Sequence, residues 1–207
     1  MSAPKPSRAP RRRGYHHGDL RAVLLEAGEA ELAERGVEGF SLRGAAKRAG
    51  VSHAAPAHHF RDANGLLTAL AAEGFRRFVE RQKLRQQAAN KDPLSQLVAA
   101  GMGYIDFAMA HPTLFRLMFS SDRPDYEAEE LHIAAGAAYR QLVEDVARVH
   151  GSAPGQSEPL PSEVMRTWAV AHGLADLMNS RRLKPLLGLR KVERDAALSE
   201  MLRRSLG

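Results

Sequence analysis

Apolar residues recur at helical spacing from about residue 19 to the end of this chain. In the first segment they lie three and four residues apart, on one face of a helix, at Leu20, Val23, Leu24, Ala27 and Ala30. We expect Asp19 to cap this helix and Gly36 to end it. No stretch alternates apolar and polar residues as a β-strand does, so the pattern predicts an all-α fold.

The segment 41–60 predicts two short helices joined by a tight turn. Ser41 is placed to cap the first helix, and Gly50 stands at its end, where a left-handed backbone favours glycine. Ser52 is expected to cap a second helix that begins at His53. This layout is that of a DNA-binding helix-turn-helix, but pairs of short helices in ordinary bundles share it. The pattern alone leaves both interpretations open.

Pro56 interrupts the second of these helices. With Ser52 as the cap, the proline lies fourth in the helix and lacks the N–H that would bond to the Ser52 carbonyl. We therefore expect a loosened first turn in this helix.

Helical spacing continues through the remaining two thirds of the chain. A long helix is predicted over about 66–87, and its polar part, 76–87, predicts a solvent-exposed rod between two domains. Asp92 is expected to cap the next helix, with Pro93 at its first helical position. Ser162 is expected to cap the helix that begins there. The later helices are expected at about 94–110, 112–119, 126–149, 162–182 and 192–206.

The positive charge is concentrated at the N-terminus. The formal net charge is +6, and five basic residues precede Asp19 without any acid, which leaves 25 basic and 24 acidic residues elsewhere. Residues 1–14 are therefore expected to form a disordered basic arm, and its Arg11, Arg12 and Arg13 suit contact with nucleic-acid phosphate. The alternative is a solvated tail that contacts nothing.

Composition and spacing argue against several classes of protein. The chain has no cysteine, which excludes disulfides and thiolate metal sites. No apolar run approaches the roughly 18 residues that span a bilayer, so a cytoplasmic protein without membrane contact is expected. The nine histidines lack the spacing of a metal site, and no motif of nucleophilic catalysis is present. We expect no metal, no cofactor and no enzymatic activity.

Several segments together resemble the TetR/AcrR family of dimeric transcriptional repressors. In the N-terminal part the matching segments are YHHGDLR at 15–21, SLR at 41–43, AGVS at 49–52, HF at 59–60 and LL at 66–67. Farther on, HPTLFRLMF at 111–119 and WAVAHG at 168–173 resemble the C-terminal subclass named for its Trp-His-Gly signature.

The resemblance implies two domains and a homodimer. A helix-turn-helix DNA-binding domain is expected over 15–65, and a helical ligand-binding and dimerisation domain over 66–207. The family pairs its subunits through the last two long helices, binds a palindromic DNA operator and responds to a small hydrophobic ligand. A constitutive regulator without a ligand switch is an alternative.

By position in the family motif, one set of residues is expected to contact DNA. Base edges would be read by Arg43, His53, Ala54, Ala55 and His58. The phosphate backbone would be contacted by Ser41, Lys47, Arg48, Ser52 and His59, together with the arginines of the arm. For Lys47 and Arg48 the alternative is a solvated helix face.

The sequence departs from the family pattern at two contact positions. Ala57 stands where many members have a tyrosine, and Ala63 stands where many have a lysine. Both changes remove backbone contacts, so the module is expected to bind DNA more weakly than a typical member, with the arm as compensation. A ligand-binding dimer with weak or no sequence-specific DNA binding is therefore a second alternative.

Aromatic, methionine and histidine positions of the C-terminal domain suit an adaptable apolar cavity. The candidate ligand-binding residues are Met102, Tyr104, Phe107, Phe115, Met118, Phe119, Trp168, His172 and Met178. For each of them the alternative is simple core packing. Trp168 and His172 lie four residues apart on one helical face, and His172 with Gly173 could also pack at a close helix crossing.

Overall fold

In the computed structural model of the protein, residues 17–151 and 160–207 are described. Within these two ranges the chain is helical and contains no strand, as the apolar spacing predicts. The helices are α1 (His17–Gly39), α2 (Leu42–Ala49), α3 (Ala57–Phe60), α4 (Ala63–Ala88), α5 (Pro93–Ala110), α6 (Pro112–Ser120), α7 (Glu129–Val149), α8 (Pro161–Asn179), α9 (Lys184–Leu187) and α10 (Lys191–Leu206). The basic arm with Arg11, Arg12 and Arg13, and the Asp19 side chain, lie outside the described residues.

The first helix of the helix-turn-helix has the predicted end residues. Ser41 Oγ accepts a hydrogen bond from the Gly44 backbone N–H at 3.0 Å. Gly50 adopts the left-handed conformation, with φ 68° and ψ 29°. Gly36 also has a positive φ, 69°, and interrupts α1, which continues to Gly39 beyond the break. Local chemistry therefore sets both boundaries of α2.

The second helix is shorter than predicted. It begins at Ala57 instead of His53, and its N-cap is Pro56, which provides no side-chain hydrogen bond, so the prediction that Ser52 caps this helix is wrong. The residues before it form a turn in which an N–H bonds to the carbonyl three residues earlier. The Ala55 N–H, for example, donates to the Ser52 carbonyl at 3.1 Å. The missing N–H of the proline explains this loosened first turn.

Helix α4 begins earlier than predicted and is not an exposed rod. The Asp62 carboxylate accepts a hydrogen bond from the Gly65 N–H at 2.9 Å, and this cap starts the helix within the predicted turn. Phe78 and Gln82 are buried in the segment that we expected to be solvent-exposed. Its polar side chains meet partners instead; Arg85, for example, donates to Asp106 at 2.7 Å. Half of the segment is exposed, as predicted, but its other face packs on neighbouring helices, so it is not a free rod between two domains.

Helices α5 to α10 follow the apolar pattern with small differences at their ends. Asp92 caps α5 through the Ser95 N–H at 2.9 Å, and Pro93 takes its first turn. Ser162 does not cap α8, because the helix already begins at Pro161 with Leu160 as its N-cap. Helix α9 was not predicted.

One continuous apolar core connects the two predicted domains. Helix α4 packs on α1 and α3 and also on α5, α6 and α7. Polar contacts reinforce the junction: Arg77 donates to Glu29 of α1 at 2.5 Å, and His111 lies 3.4 Å from the same carboxylate. The helix-turn-helix and the C-terminal helices therefore share α4 as a common element.

Candidate functional site

The outer face of α2 and of the turn into α3 carries most of the expected DNA-contact residues. Arg43, Lys47, Ser52, His53, Ala54 and His58 are exposed there, as is Ser41 at the N-cap of α2. Ala55 and His59 are half-buried, and the His59 ring centroid lies 6.1 Å from that of Phe60. The structure thus leaves cationic and imidazole side chains exposed on α2, on the turn that follows it and on α3, and we call these exposed residues the α2–α3 face.

Arg48 belongs to this helix but is held by α1. Its Nε donates to the Glu31 carboxylate at 2.6 Å, and its Nη2 donates to Glu34. Glu31 is only 6% exposed, so the arginine compensates a buried charge. The guanidinium of Arg48 therefore fixes α2 on α1, and the phosphate contact expected of this arginine stays a prediction.

Phe60 anchors the short α3 beneath the exposed face. The ring is buried, and the Arg21 guanidinium carbon lies 5.6 Å from its centroid. Phe40, just before Ser41, is buried in the same core. These aromatic side chains set the position of a helix too short to be stable by itself.

A cavity of about 480 Å³ lies between helices of the C-terminal part. Four of the nine expected ligand-binding residues line it: Tyr104, Met118, Phe119 and Trp168. The three aromatic rings among them belong to a cluster that also contains Phe78, whose ring centroid lies 4.8 Å from that of Tyr104 in an edge-to-face contact. Such a volume and lining are typical of a site for a small apolar ligand.

The other five expected residues lie outside the cavity wall. Met102, Phe107, Phe115 and Met178 are buried in the core. His172 is half-buried and lies behind Tyr104, with its Nδ1 2.7 Å from the Tyr104 hydroxyl oxygen. For these positions the structure supports the alternative of packing or second-layer support.

Tyr104 and Trp168 of the cavity wall form a hydrogen-bonded group with His172. The Trp168 indole N–H donates to the Tyr104 hydroxyl oxygen at 3.3 Å. The hydroxyl proton is then left to bond to the His172 Nδ1, which requires a neutral imidazole. Burial lowers the pKa of His172 and raises that of Tyr104, and so favours the neutral form of both side chains.

Most of the cavity lining was not predicted from the sequence. The largest group comes from α7, smaller groups come from α4, α5 and α8, and single residues come from α10 and from the segment before α7. They are Phe75, Phe78, Gln82, Leu97, Ala100, Gly101, Tyr126, Ala135, Gly136, Ala138, Tyr139, Leu142, Asp145, Thr167, Ala171 and Leu206. Alanine and glycine carry no signal of a ligand site, and only the helix packing identifies them as a wall.

Two polar contacts join α4 to α7 at one part of the lining. Gln141 Nε2 donates to Gln82 Oε1 at 3.1 Å. One turn farther along both helices, Gln86 Nε2 donates to Asp145 at 3.1 Å, and Arg148 also donates to this carboxylate. Asp145 is 2% exposed, and burial raises its pKa.

Comparison with known families matches both parts of the chain. Residues 97–204 match the family described as "Tetracyclin repressor-like, C-terminal domain". Residues 24–70 match "Bacterial regulatory proteins, tetR family". The chain belongs to the TetR family of transcriptional regulators. This family is one of DNA-binding regulators and not of enzymes.

Individual relatives agree with this assignment. The HTH-type transcriptional regulator BetI of Yersinia pestis (strain Pestoides F) is 39% identical over 87 residues, which are 42% of this chain and 44% of BetI. The chain therefore spans under half the length of the curated relatives it matches.

Solved structures share the fold over nearly the whole chain. A protein of unknown function from Rhodococcus sp. RHA1 is 35% identical with a TM-score of 0.74, over 94% of this chain and 99% of that one. The TetR-like regulator LfrR from Mycobacterium smegmatis, solved in complex with proflavine, has a TM-score of 0.58 at 16% identity, over 90% of this chain and 95% of LfrR.

The described residues provide neither a membrane-spanning helix nor a cluster of metal ligands. None of the described helices is long and apolar enough to cross a membrane. Among the same residues, no group of three or more histidine and carboxylate side chains is placed to hold a metal ion.

Proposed function

We propose that this TetR-family protein is a ligand-responsive regulator, and specifically a repressor, that binds a palindromic DNA operator as a homodimer. The observation that carries the proposal is the exposed α2–α3 face on a chain that also encloses an apolar cavity. A small hydrophobic ligand in the cavity would favour a conformation with the wrong spacing between the two DNA-binding surfaces.

DNA binding is assigned to the side chains that the α2–α3 face leaves exposed. Arg43 has the fork geometry that suits guanine O6 and N7, and His53 and His58 reach outward from the turn and from α3. Lys47 is exposed on α2 and is assigned to phosphate. The basic arm would add phosphate contacts beside this surface.

Dimer formation is assigned to α8 and α10. Met165 and Leu177 on α8 and Val192 and Met201 on α10 are large apolar side chains that the single chain leaves exposed. A side chain built at Gly173 of α8 meets no atom within 4 Å, so this face has room for a partner helix. Two subunits paired here would present two α2–α3 faces for half-sites about 34–36 Å apart.

The ligand is assigned to the cavity lined by Tyr104, Phe119 and Trp168. Its volume suits a small molecule, and its aromatic wall favours an apolar one. That LfrR, a structural neighbour, was solved with proflavine supports a small-molecule site in this fold. No enzymatic role is proposed.

One observation favours a second candidate function. Helix α3 has a single turn, because Pro56 prevents the expected first turn, and Ala57 provides no hydroxyl for phosphate. A ligand-binding dimer with weak or no sequence-specific DNA binding would fit this shortened helix.

Selection of bound sequences from a randomised DNA pool separates the two candidates. The full-length protein would be used at low and at moderate salt. Enrichment of a palindrome, with affinity that falls as salt rises, is the expected result. Retention of DNA without enrichment of any sequence, or no retention at all, would favour the second candidate.

A further inference from the structure

The cavity is polar at one end and aromatic at the other. The pairs Gln82–Gln141 and Gln86–Asp145 advance by one turn on both helices, so α4 and α7 run parallel along this wall. Phe75 lies seven residues before Gln82, a distance of about 10 Å along a helix. The cavity therefore extends from an aromatic end near Phe75 to a polar end at Gln82 and Asp145.

The aromatic end is a slot for a flat apolar group. The ring centroids of Phe75 and Phe119 are 5.3 Å apart on one side. Ala135 and Gly136 of α7, which have a methyl group and no side chain respectively, line the same cavity. Ten residues separate Ala135 from Asp145, which is about 15 Å along α7, so a ligand that touches both ends is elongated.

Among the described residues, one negatively charged side chain lines the polar end of the cavity. Among the described residues that line the cavity, Asp145 is the only one with a carboxylate, and none is a lysine or an arginine. Arg148 reaches Asp145 from outside the lining, and its side chain is 39% exposed. Because Arg148 is partly exposed, a positively charged ligand group can take its place beside the buried carboxylate, whereas a negative group would meet a like charge there.

We propose that the effector is an elongated amine, with a flat apolar group at the Phe75–Phe119 end and an ammonium group at the Gln82–Asp145 end. This inference rests on the proposed function of the cavity and specifies its ligand class. The ammonium donates to the Asp145 carboxylate, and a hydrogen bond between two charged groups is stronger than one from a neutral group of the same size.

Three probes of equal length test the head group in the full-length protein: 4-phenylbutylamine, 4-phenylbutanol and 4-phenylbutanoate. Trp168 is the only tryptophan of the chain and lines the cavity, so its fluorescence reports binding without DNA. We expect the amine to bind about tenfold more tightly than the alcohol, with the acid weakest. Equal binding of amine and alcohol, or tightest binding by the acid, would overturn the inference.

Substitutions at the polar end test the role assigned to the carboxylate. Asp145→Asn is expected to weaken the amine about tenfold and to leave the alcohol unchanged. Arg148→Ala removes the competing cation and is expected to tighten binding of the amine, a result that holds even if Asp145→Asn fails to fold. Glu144→Gln, on the exposed side of α7, is the matched control and should change nothing.

The outcomes separate this inference from the proposed function. If the probes bind but Asp145→Asn weakens all three equally, the head-group assignment is wrong while the cavity remains a ligand site. If none of the three alters Trp168 fluorescence or binds by calorimetry, both the amine inference and the ligand site are overturned. The DNA selection experiment judges operator binding independently.

Discussion

The Tyr104 hydroxyl oxygen lies 2.7 Å from Nδ1 of His172, across the packing of α5 on α8. Tyr104 faces the cavity, whereas His172 precedes Gly173 on the helix that we assign to dimer contact. A ligand that moves the tyrosine ring would therefore act on α8 directly. This pair gives a physical route from the cavity to the proposed subunit interface.

Acid is expected to destabilise the fold through His172. Because burial lowers its pKa in the folded protein, the unfolded chain takes up the proton first, below the usual histidine pKa of about 6.5. The free energy of unfolding should therefore fall as the pH decreases through this range. His111, whose pKa is lowered by burial and by Arg77, adds to the effect in the same direction.

Thermal denaturation between pH 8 and pH 5.5 measures this dependence. In His172→Gln the loss of stability on acidification should be smaller than in the wild type. His132→Gln, at an exposed position on α7, serves as the control and should keep the wild-type slope. An unchanged slope in His172→Gln would show that the buried imidazole does not govern the acid response.

Arg48→Ala is expected to destabilise the helix-turn-helix more than the loss of an exposed ion pair does, because the nearly buried Glu31 then loses its charged hydrogen-bond partner. Arg35→Ala is the matched control. Among the described residues Arg35 pairs only with Glu34, and both side chains are more than half exposed, so its loss should cost little. Urea denaturation of the two variants provides the comparison, and equal effects would refute the anchoring role of Arg48.

Gly173→Leu is expected to weaken the dimer without unfolding the subunit. The added side chain meets open space in the single chain, but it would collide with a partner helix on this face. Sedimentation velocity should show a shift toward monomer at micromolar concentration, with the circular dichroism of a helical protein retained. Ala137→Leu, at an exposed position on α7, should remain dimeric; a dimeric Gly173→Leu would place the interface elsewhere.

Removal of residues 1–13 is expected to weaken DNA binding and its dependence on salt. The segment carries five basic residues, and each phosphate contact contributes a slope of about 0.9 in log affinity against log salt. Titrations at several salt concentrations measure the slope with and without the segment. An identical slope would mean that the arm does not contact phosphate.

The sequence predicts features that depend on neighbouring residues along the chain. The Ser41 cap, the left-handed Gly50 and the effect of Pro56 all follow from local backbone chemistry, and the structure has each of them. In contrast, the partner of Arg48 is Glu31, on another helix. The spacing of residues within α2 contains no information about that contact. The sequence alone therefore suggested only a phosphate contact or a solvated face for Arg48.

For the cavity, too, the sequence predicts some lining residues and misses those that depend on packing between distant helices. Tyr104, Met118, Phe119 and Trp168 were predicted because aromatic and methionine side chains suggest an adaptable apolar site. Gln82 resembled part of an exposed polar helix, and Asp145 resembled any acid of an amphipathic one. Both line the cavity only because α4 packs against α7, and such packing between distant segments cannot be read from one sequence.

Arg43→Ala is the most direct test of whether the α2–α3 face reads DNA bases. The operator obtained by selection, and a series with single base-pair changes, would be titrated with the wild type, with Arg43→Ala and with Arg116→Ala as an exposed control on α6. We predict that Arg43→Ala loses about 1–3 kcal/mol of binding free energy and discrimination at one base pair of each half-site, while Arg116→Ala binds normally. If Arg43→Ala binds as the wild type does, or if both variants lose the same affinity, Arg43 does not read a base and the proposed DNA-binding face is wrong.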